Sequence, residues 1–338
     1  MSIPKTTPSA IVVSECFEGV QQALDPVTAH AQLSRLPQLN RHGTSLELIA
    51  TGVCRHKPGR RCLIEYNVLI KRPWHEPQTL ALMAKIRIKG HDHHTYALAN
   101  ALWSTGFCDR ADDGIAVPEP MGEIPQWHMW LQRKVPGQTL EHQLAGPHGE
   151  RLAQRVADAA SKIHHSGIAA RRRHTLADEL RILDERLAAT AAAYPHWSTR
   201  LERIIRRCRR LASQVPAPTV CGIHRDFYAD QLIVDRDRLY VLDFDLYCEG
   251  DPALDIGNFI AHITEFSLRT LGDATALAHV ERALEDRFLQ LNPHIPPHAI
   301  TAYVTLTLAR HIYLSTQFAD RQPFTQSLIE LTEQRLDH

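Results

Sequence analysis

"GIHRDFYADQLIVDRDRLYVLDFDLYCEGDPALD", residues 222–255, is the stretch on which the reading of this chain turns. It sets many carboxylic acids beside two short apolar runs. A charge near a core is costly to desolvate unless it is paired or holds a cation. The stretch is therefore either a hairpin with solvated turns or a metal-bearing site. "LIV" at 232–234 and "LYVLD" at 239–243 have strand character, and "DRDR" at 235–238 is the turn between them. A tight hairpin brings the segment before the first strand, "HRDFYADQ", close to the end of the second, "DFD". Asp226, Gln231 and Asp243 can then converge on one point. Two carboxylates and an amide oxygen suit a hard cation such as Mg²⁺, which takes one or two carboxylates plus phosphate oxygens and water.

Outward from this stretch, the chain changes character near residues 135–137. Residues 16–37 read as helical, with Asp25 and Pro26 as an N-cap followed by proline at the first helical position. "SLELIATGVCRH" and "RRCLIEYNVLI" are β-rich, with "KPG" as the turn between them. A third strand is expected over 79–88, a helix over 92–106 and a further strand over 127–135, closed by Pro136 and Gly137. Beyond that point helices dominate. Residues 149–167 place Leu152, Val156, Ala159 and Ile163 on one face, with Gly167 as the stop. Helices are also expected over 175–193 and 198–213, and again from the opening stretch to the end. The fold class is α+β, with a sheet-rich part over 1–135 and a helical part over 136–338.

Composition bounds the function. The 338 residues carry 38 Lys and Arg against 38 Asp and Glu, so net charge is zero, which argues against a general binder of nucleic acid or membrane surfaces. Seven cysteines, an odd number with no C-x-x-C pair, read as reduced thiols of a cytoplasmic protein. The N-terminus lacks a basic segment followed by a long apolar run, so no secretory signal is expected. No apolar run approaches the roughly 18–20 residues of a membrane span.

The order and spacing of these motifs resemble a known family. "HRDFYADQ…VLDFD" is similar to the catalytic and metal-binding loops of the protein-kinase-like fold. The continuation "GDPALDIGNF" resembles the aminoglycoside phosphotransferase and choline kinase branch, and the likeness runs from about Leu46 to the C-terminus. The resemblance implies a two-lobed fold with a small sheet-rich N-terminal lobe and a larger helical C-terminal lobe. It implies an ATP- and Mg²⁺-dependent kinase acting on a hydroxyl of a small molecule: an aminoglycoside, sugar or amino-alcohol. By the same likeness, Asp226 accepts the substrate hydroxyl's proton and Asp243 is the metal ligand that bridges phosphates. Gln231 stands where the family has a second metal ligand, Asn. His224 braces the catalytic loop and Asp255 ties down its backbone. "MAKIRI" resembles the strand motif that places a lysine, Lys85, on the nucleotide phosphates. "HKPGRR", with Lys57 and Gly59, occupies the place of the phosphate-covering loop. "LQRKVPG", with Gln132 and Lys134, resembles the hinge that holds adenine.

Two departures support a rival reading, a nucleotide-binding pseudokinase used as a scaffold or regulator. Gln231 is one methylene longer than Asn. The helix after Lys85 lacks the expected Glu; Asp92 is the only acid between Lys89 and Phe107, and it suits a helix N-cap. Other motifs read plainly. "GHDHH" at 90–94 reads as a polar turn opening a helix rather than a metal site, since adjacent positions do not share a helix face. "RIIRRCRR" at 203–210 reads as the solvated face of an amphipathic helix. "RRRHT" at 171–175 is either solvated or turned to an anionic substrate.

Overall fold

Alternation along one strand organises the first part of the chain. In residues 61–71, Cys62, Ile64, Tyr66, Val68 and Ile70 are buried and the residues between them are partly exposed. A period of two gives the strand one buried face. The structure, a computed structural model, describes residues 17–40 and 43–337. Cys16, the first residue of the expected N-terminal helix, lies outside the described residues, as do residues 1–16 of the segment read for a secretory signal. The chain divides into two compact units, Met1–Pro136 and Gly137–His338.

The first unit begins with α1 (Glu18–Leu24) and α2 (Pro26–Leu33). Asp25 caps α2, accepting from the Thr28 amide at 2.8 Å, and Pro26 follows it at the first helical position. Then come β1 (Ser45–Lys57), β2 (Arg61–Lys71), β3 (Gln78–Arg87), α3 (His93–Ser104), the short β4 (Ile115–Ala116), β5 (Pro120–Ile124) and β6 (Met129–Arg133). β1, β2, β3, β6 and β5 form one antiparallel sheet in that order. α1 and α2 cover the face that carries Ile64, Tyr66, Leu82, Ala84, Ile86 and Leu131. The Tyr66 hydroxyl donates to the Ala23 carbonyl at 2.7 Å, which ties the helices to the sheet.

The opposite face is set by register. Leu63 pairs with Lys85, Lys85 with Trp130, and Trp130 with Glu123. Residues directly opposite on neighbouring strands share a face, so this row looks away from α1 and α2. Tyr96 of α3 meets Trp130 on it, with ring centroids 6.5 Å apart. The expected strand over 127–135 is shorter. Pro125 starts a 3₁₀ turn through Trp127, and His128 takes φ 49°, so extension begins only at Met129.

The second unit contains β7 (Gln138–Thr139), α4 (Gly149–His164), α5 (Leu176–Ala193), α6 (Ser198–Ala212), β8 (Cys221–Ile223), β9 (Leu232–Asp235), β10 (Arg238–Val241), β11 (Cys248–Gly250), α7 (Pro252–Phe266), α8 (Ala278–Leu291), α9 (Pro297–Thr316) and α10 (Thr325–Asp337). α7 is buried on nearly every side, as a helix apolar all round must be. It packs against α9, α8 and α4. α6 turns Ile204 and Cys208 inward, and its arginines Arg207 and Arg209 pair with Asp337 and Asp184. Among the described residues, no helix is long and apolar enough to cross a membrane.

Candidate active site

β9 and β10 are the hairpin expected from the sequence. Leu232 pairs with Val241 and Asp235 with Arg238, leaving Arg236 and Asp237 as the turn. The second strand stops at Val241. The Leu242 amide still donates to the Gln231 carbonyl at 2.8 Å, and Asp243 then leaves the strand at φ 56°. A non-glycine residue in the left-handed region is uncommon and clusters at functional sites. The loop before β9 holds a second one, Arg225, at φ 70°.

One buried carboxylate holds that loop. Asp255, in the first turn of α7, is fully buried. Its oxygens accept from the His224 amide at 2.9 Å and the Arg225 amide at 2.7 Å. His164, at the end of α4, brings Nε2 to 2.9 Å of the same carboxylate. Three donors and the α7 N-terminus satisfy a charge that burial alone would make costly. His224 then carries the link onward. Its Nε2 donates to the Leu242 carbonyl at 2.7 Å, and its ring sits between Phe227 and Phe244. The residue before Asp243 is thus tied to the loop that carries Asp226. Asn258, one turn after Asp255, donates to the Phe227 carbonyl at 2.9 Å and accepts from Arg310 at 2.5 Å.

The acids gather around Tyr228. Burial first, then the charges of Asp226, Asp230 and Asp243, push its phenol up to about 12. Gln231, itself buried, hydrogen-bonds that phenol through its side chain. Asp226, Asp230, Gln231 and Asp243 thus all lie near the Tyr228 phenol. Hard oxygen donors of this kind fit a small divalent cation.

The five remaining expected residues lie on the sheet of the first unit. Lys85 is 7% exposed, on the face away from α1 and α2. Lys57 and Gly59 belong to the β1–β2 turn, where Gly59 takes φ +66°. Gln132 is near the end of β6, opposite Met83. Lys134 lies just past it; its amide donates to Ala81, while its ammonium pairs with Glu65 at 2.7 Å. Asp92 caps α3 through Thr95 and pairs with Arg87 at 2.9 Å. Sequence reasoning missed His164, Asn258, Arg310 and Tyr228. His164 carried a signal, since it follows Ala153, Ala157 and Ala160 at helical spacing on a second buried row of α4. The stretch left open, 171–175, is partly structural: His174 lies 2.6 Å from the buried Glu179, which Arg310 also meets at 3.2 Å.

The phosphotransferase enzyme family model matches residues 93–290, more than half of the chain. The chain belongs to that family. No curated protein matches the sequence. Solved structures of family-like kinases share its fold. A choline/ethanolamine kinase family protein from Mesorhizobium loti is 16% identical, with 92% of this chain and 94% of that one covered at a TM-score of 0.53. A glucosamine kinase is 15% identical over 92% and 83%, with a TM-score of 0.55. An amicoumacin kinase in complex with AMP-PNP, Ca²⁺ and Ami is 12% identical over 95% and 96%, also at 0.55. At such identities the likeness speaks for the kinase-like α+β fold, and the family match for phosphotransferase membership.

Proposed function

We propose that this chain is an ATP- and Mg²⁺-dependent kinase of a small molecule, with a hydroxyl of an aminoglycoside, sugar or amino-alcohol as acceptor. The observation that carries this reading is the Asp255 network. It fixes the Asp226 loop and, through His224, the backbone leading to Asp243. Phosphoryl transfer needs positioning and charge neutralisation more than covalent help. Asp226 takes the proton of the acceptor hydroxyl as its oxygen attacks the γ-phosphorus; the bond to the bridging oxygen breaks and ADP leaves. Asp243 and Gln231 would hold the cation. When bound, Mg²⁺ neutralises charge on the phosphates. Gln231's amide nitrogen suits the Tyr228 phenol and leaves its oxygen for that ion. In this reading residues 1–135 hold the nucleotide, with Lys85 on its phosphates, Lys57 and Gly59 covering them, and Gln132 and Lys134 at the adenine. Residues 136–338 hold the catalytic and metal loops. Reduced, buried thiols, with Cys208 and Cys248 pushed up to about 12 by burial first, suit the cytoplasm.

The pseudokinase reading is supported by one observation: Asp92, the lone acid ahead of and within α3, is committed to the cap and to Arg87. A radiolabelled phosphate-transfer screen against sugars, amino-alcohols and aminoglycosides separates the two. Transfer to any of them, abolished by chelating Mg²⁺, is the expected result. Nucleotide that binds with Mg²⁺ and raises the melting temperature, with no transfer to any acceptor, would favour the pseudokinase.

A further inference from the structure

His91 and His93 flank the N-cap of α3, and Glu123 lies on β5, some thirty residues later in the chain. The fold brings all three together. His91 Nε2 lies 2.9 Å from Glu123 Oε2, and His93 Nδ1 lies 3.0 Å from the same oxygen and 3.1 Å from the other. The three ligand atoms lie within 4.8 Å of one another. Gly90 turns the chain at φ +137° just before them. His91 precedes the cap and His93 opens the helix, so neither obeys helical spacing and both rings reach one carboxylate. Asp92 between them is occupied by the cap and Arg87, so it does not crowd the group.

We propose that His91, His93 and Glu123 form a binding site for a borderline divalent transition-metal ion, Zn²⁺ foremost. Imidazole nitrogens with one carboxylate oxygen are a donor set suited to Zn²⁺ rather than Mg²⁺. With bonds of about 2.0–2.1 Å, tetrahedral Zn²⁺ keeps its ligands about 3.3 Å apart. The observed separations of 2.9 to 3.1 Å between nitrogen and oxygen need only small shifts to match. Binding through Nε2 places the His91 proton on Nδ1, which is buried with no hydrogen-bond partner among the described residues, a cost that the metal bonds have to offset. Three protein ligands leave a fourth position for water or an incoming group.

The site would pin the start of α3 to the sheet. Glu123 shares its cross-strand row with Trp130 and Lys85, so a bound ion would stiffen the face on which Lys85 lies. This inference is independent of the proposed reaction. The test uses the full chain, stripped of metal with a chelator and then freed of the chelator. It is titrated with ZnCl₂ by calorimetry and with CoCl₂ by visible absorption. The chain has 21 histidines, so the readout is the difference from variants. His93 is the safest to change, because its side chain is 67% exposed. The expected result is one tight Zn²⁺ equivalent in the wild type that His93→Ala loses, together with the visible bands of four-coordinate Co²⁺. Glu123→Gln should weaken that equivalent by more than about tenfold, a loss usual even for an outer partner of a metal ligand. Zn²⁺ stoichiometry and Co²⁺ spectra that are the same in wild type, His93→Ala and Glu123→Gln would overturn the site.

Discussion

Asp226 and Asp243 are both half-buried carboxylates near the Tyr228 phenol, yet their backbones are held in different ways. Asp226 sits on the loop whose backbone Asp255 holds. Asp243 sits at the strand end, in the left-handed conformation, where the His224 link to Leu242 sets its position. In the proposed reaction the first meets the acceptor hydroxyl and the second holds the cation. Asp226→Asn should therefore lower the single-turnover rate by on the order of 10²–10⁴, the usual contribution of a general base, and leave nucleotide affinity near wild type. Asp243→Asn should abolish Mg²⁺-dependent binding of a non-hydrolysable ATP analogue in calorimetry, along with activity. The opposite pattern would exchange the two roles.

The element that unites the site is α7. It presents Asp255 and Asn258 from one face, and it lies close against α9. Gly257 makes that approach possible: a Cβ there would come within 2.4 Å of the Tyr303 Cβ and 2.9 Å of the Val304 amide nitrogen. Backbone atoms of α9 cannot turn aside as a flexible side-chain tip could. Gly257→Ala should destabilise the chain by about 1–3 kcal/mol, the usual effect of overpacking, and should also reduce activity because Asp255 moves with the helix. Urea unfolding beside a turnover assay checks both. A stable variant with full activity would show that α7 and α9 tolerate separation. Gly59 differs. No atom lies within 4 Å of its would-be Cβ, so its φ of +66° alone explains the glycine in the β1–β2 turn.

Over the whole molecule, a pair of imidazoles, His311 buried and His262 partly so, sets a pH dependence of stability. His262 of α7 stacks on Tyr228 at 4.5 Å, and His311 of α9 lies edge-on to it. Burial first, then Arg310, Arg321 and Arg269, lowers His262 to about 3. His311 is lowered well below its usual value by burial first, then by His262 and the same arginines. Both are neutral when folded and bind protons below about pH 6.5 when unfolded. The unfolded state therefore holds more protons between about pH 6.5 and 3, and stability falls as pH falls through that window, by up to about 1.4 kcal/mol per pH unit for each histidine. The melting temperature should drop on going from pH 7 to pH 5. His262→Phe, which keeps the ring against Tyr228, should make that drop shallower. An equal slope in the variant would show that His262 does not contribute.

The sequence by itself determined what short-range chemistry can specify. The cap at Asp25, the turn at Gly59, the alternation of β2 and the hairpin around Arg236 all depend on a residue and its near neighbours; α4 stops at His164, three residues before the glycine expected to end it. The order of the acids from Asp226 to Asp255 was legible for the same reason, since one short hairpin folds them back together. Only the tertiary structure decided the partners of those acids. His164 reaches Asp255 across 91 residues, and Arg310 reaches Asn258 across 52; neither spacing has a local signature. The three-residue group of His91, His93 and Glu123 shows the limit most clearly. Read along the chain, the two histidines are a polar turn at the mouth of a helix, and that reading is correct as far as it goes. The carboxylate that joins them arrives only because β3, β6 and β5 pair in one register and α3 lies on the face this register creates. A one-residue slip of β5 would turn Glu123 to the other side of the sheet, and nothing in the local sequence forbids it.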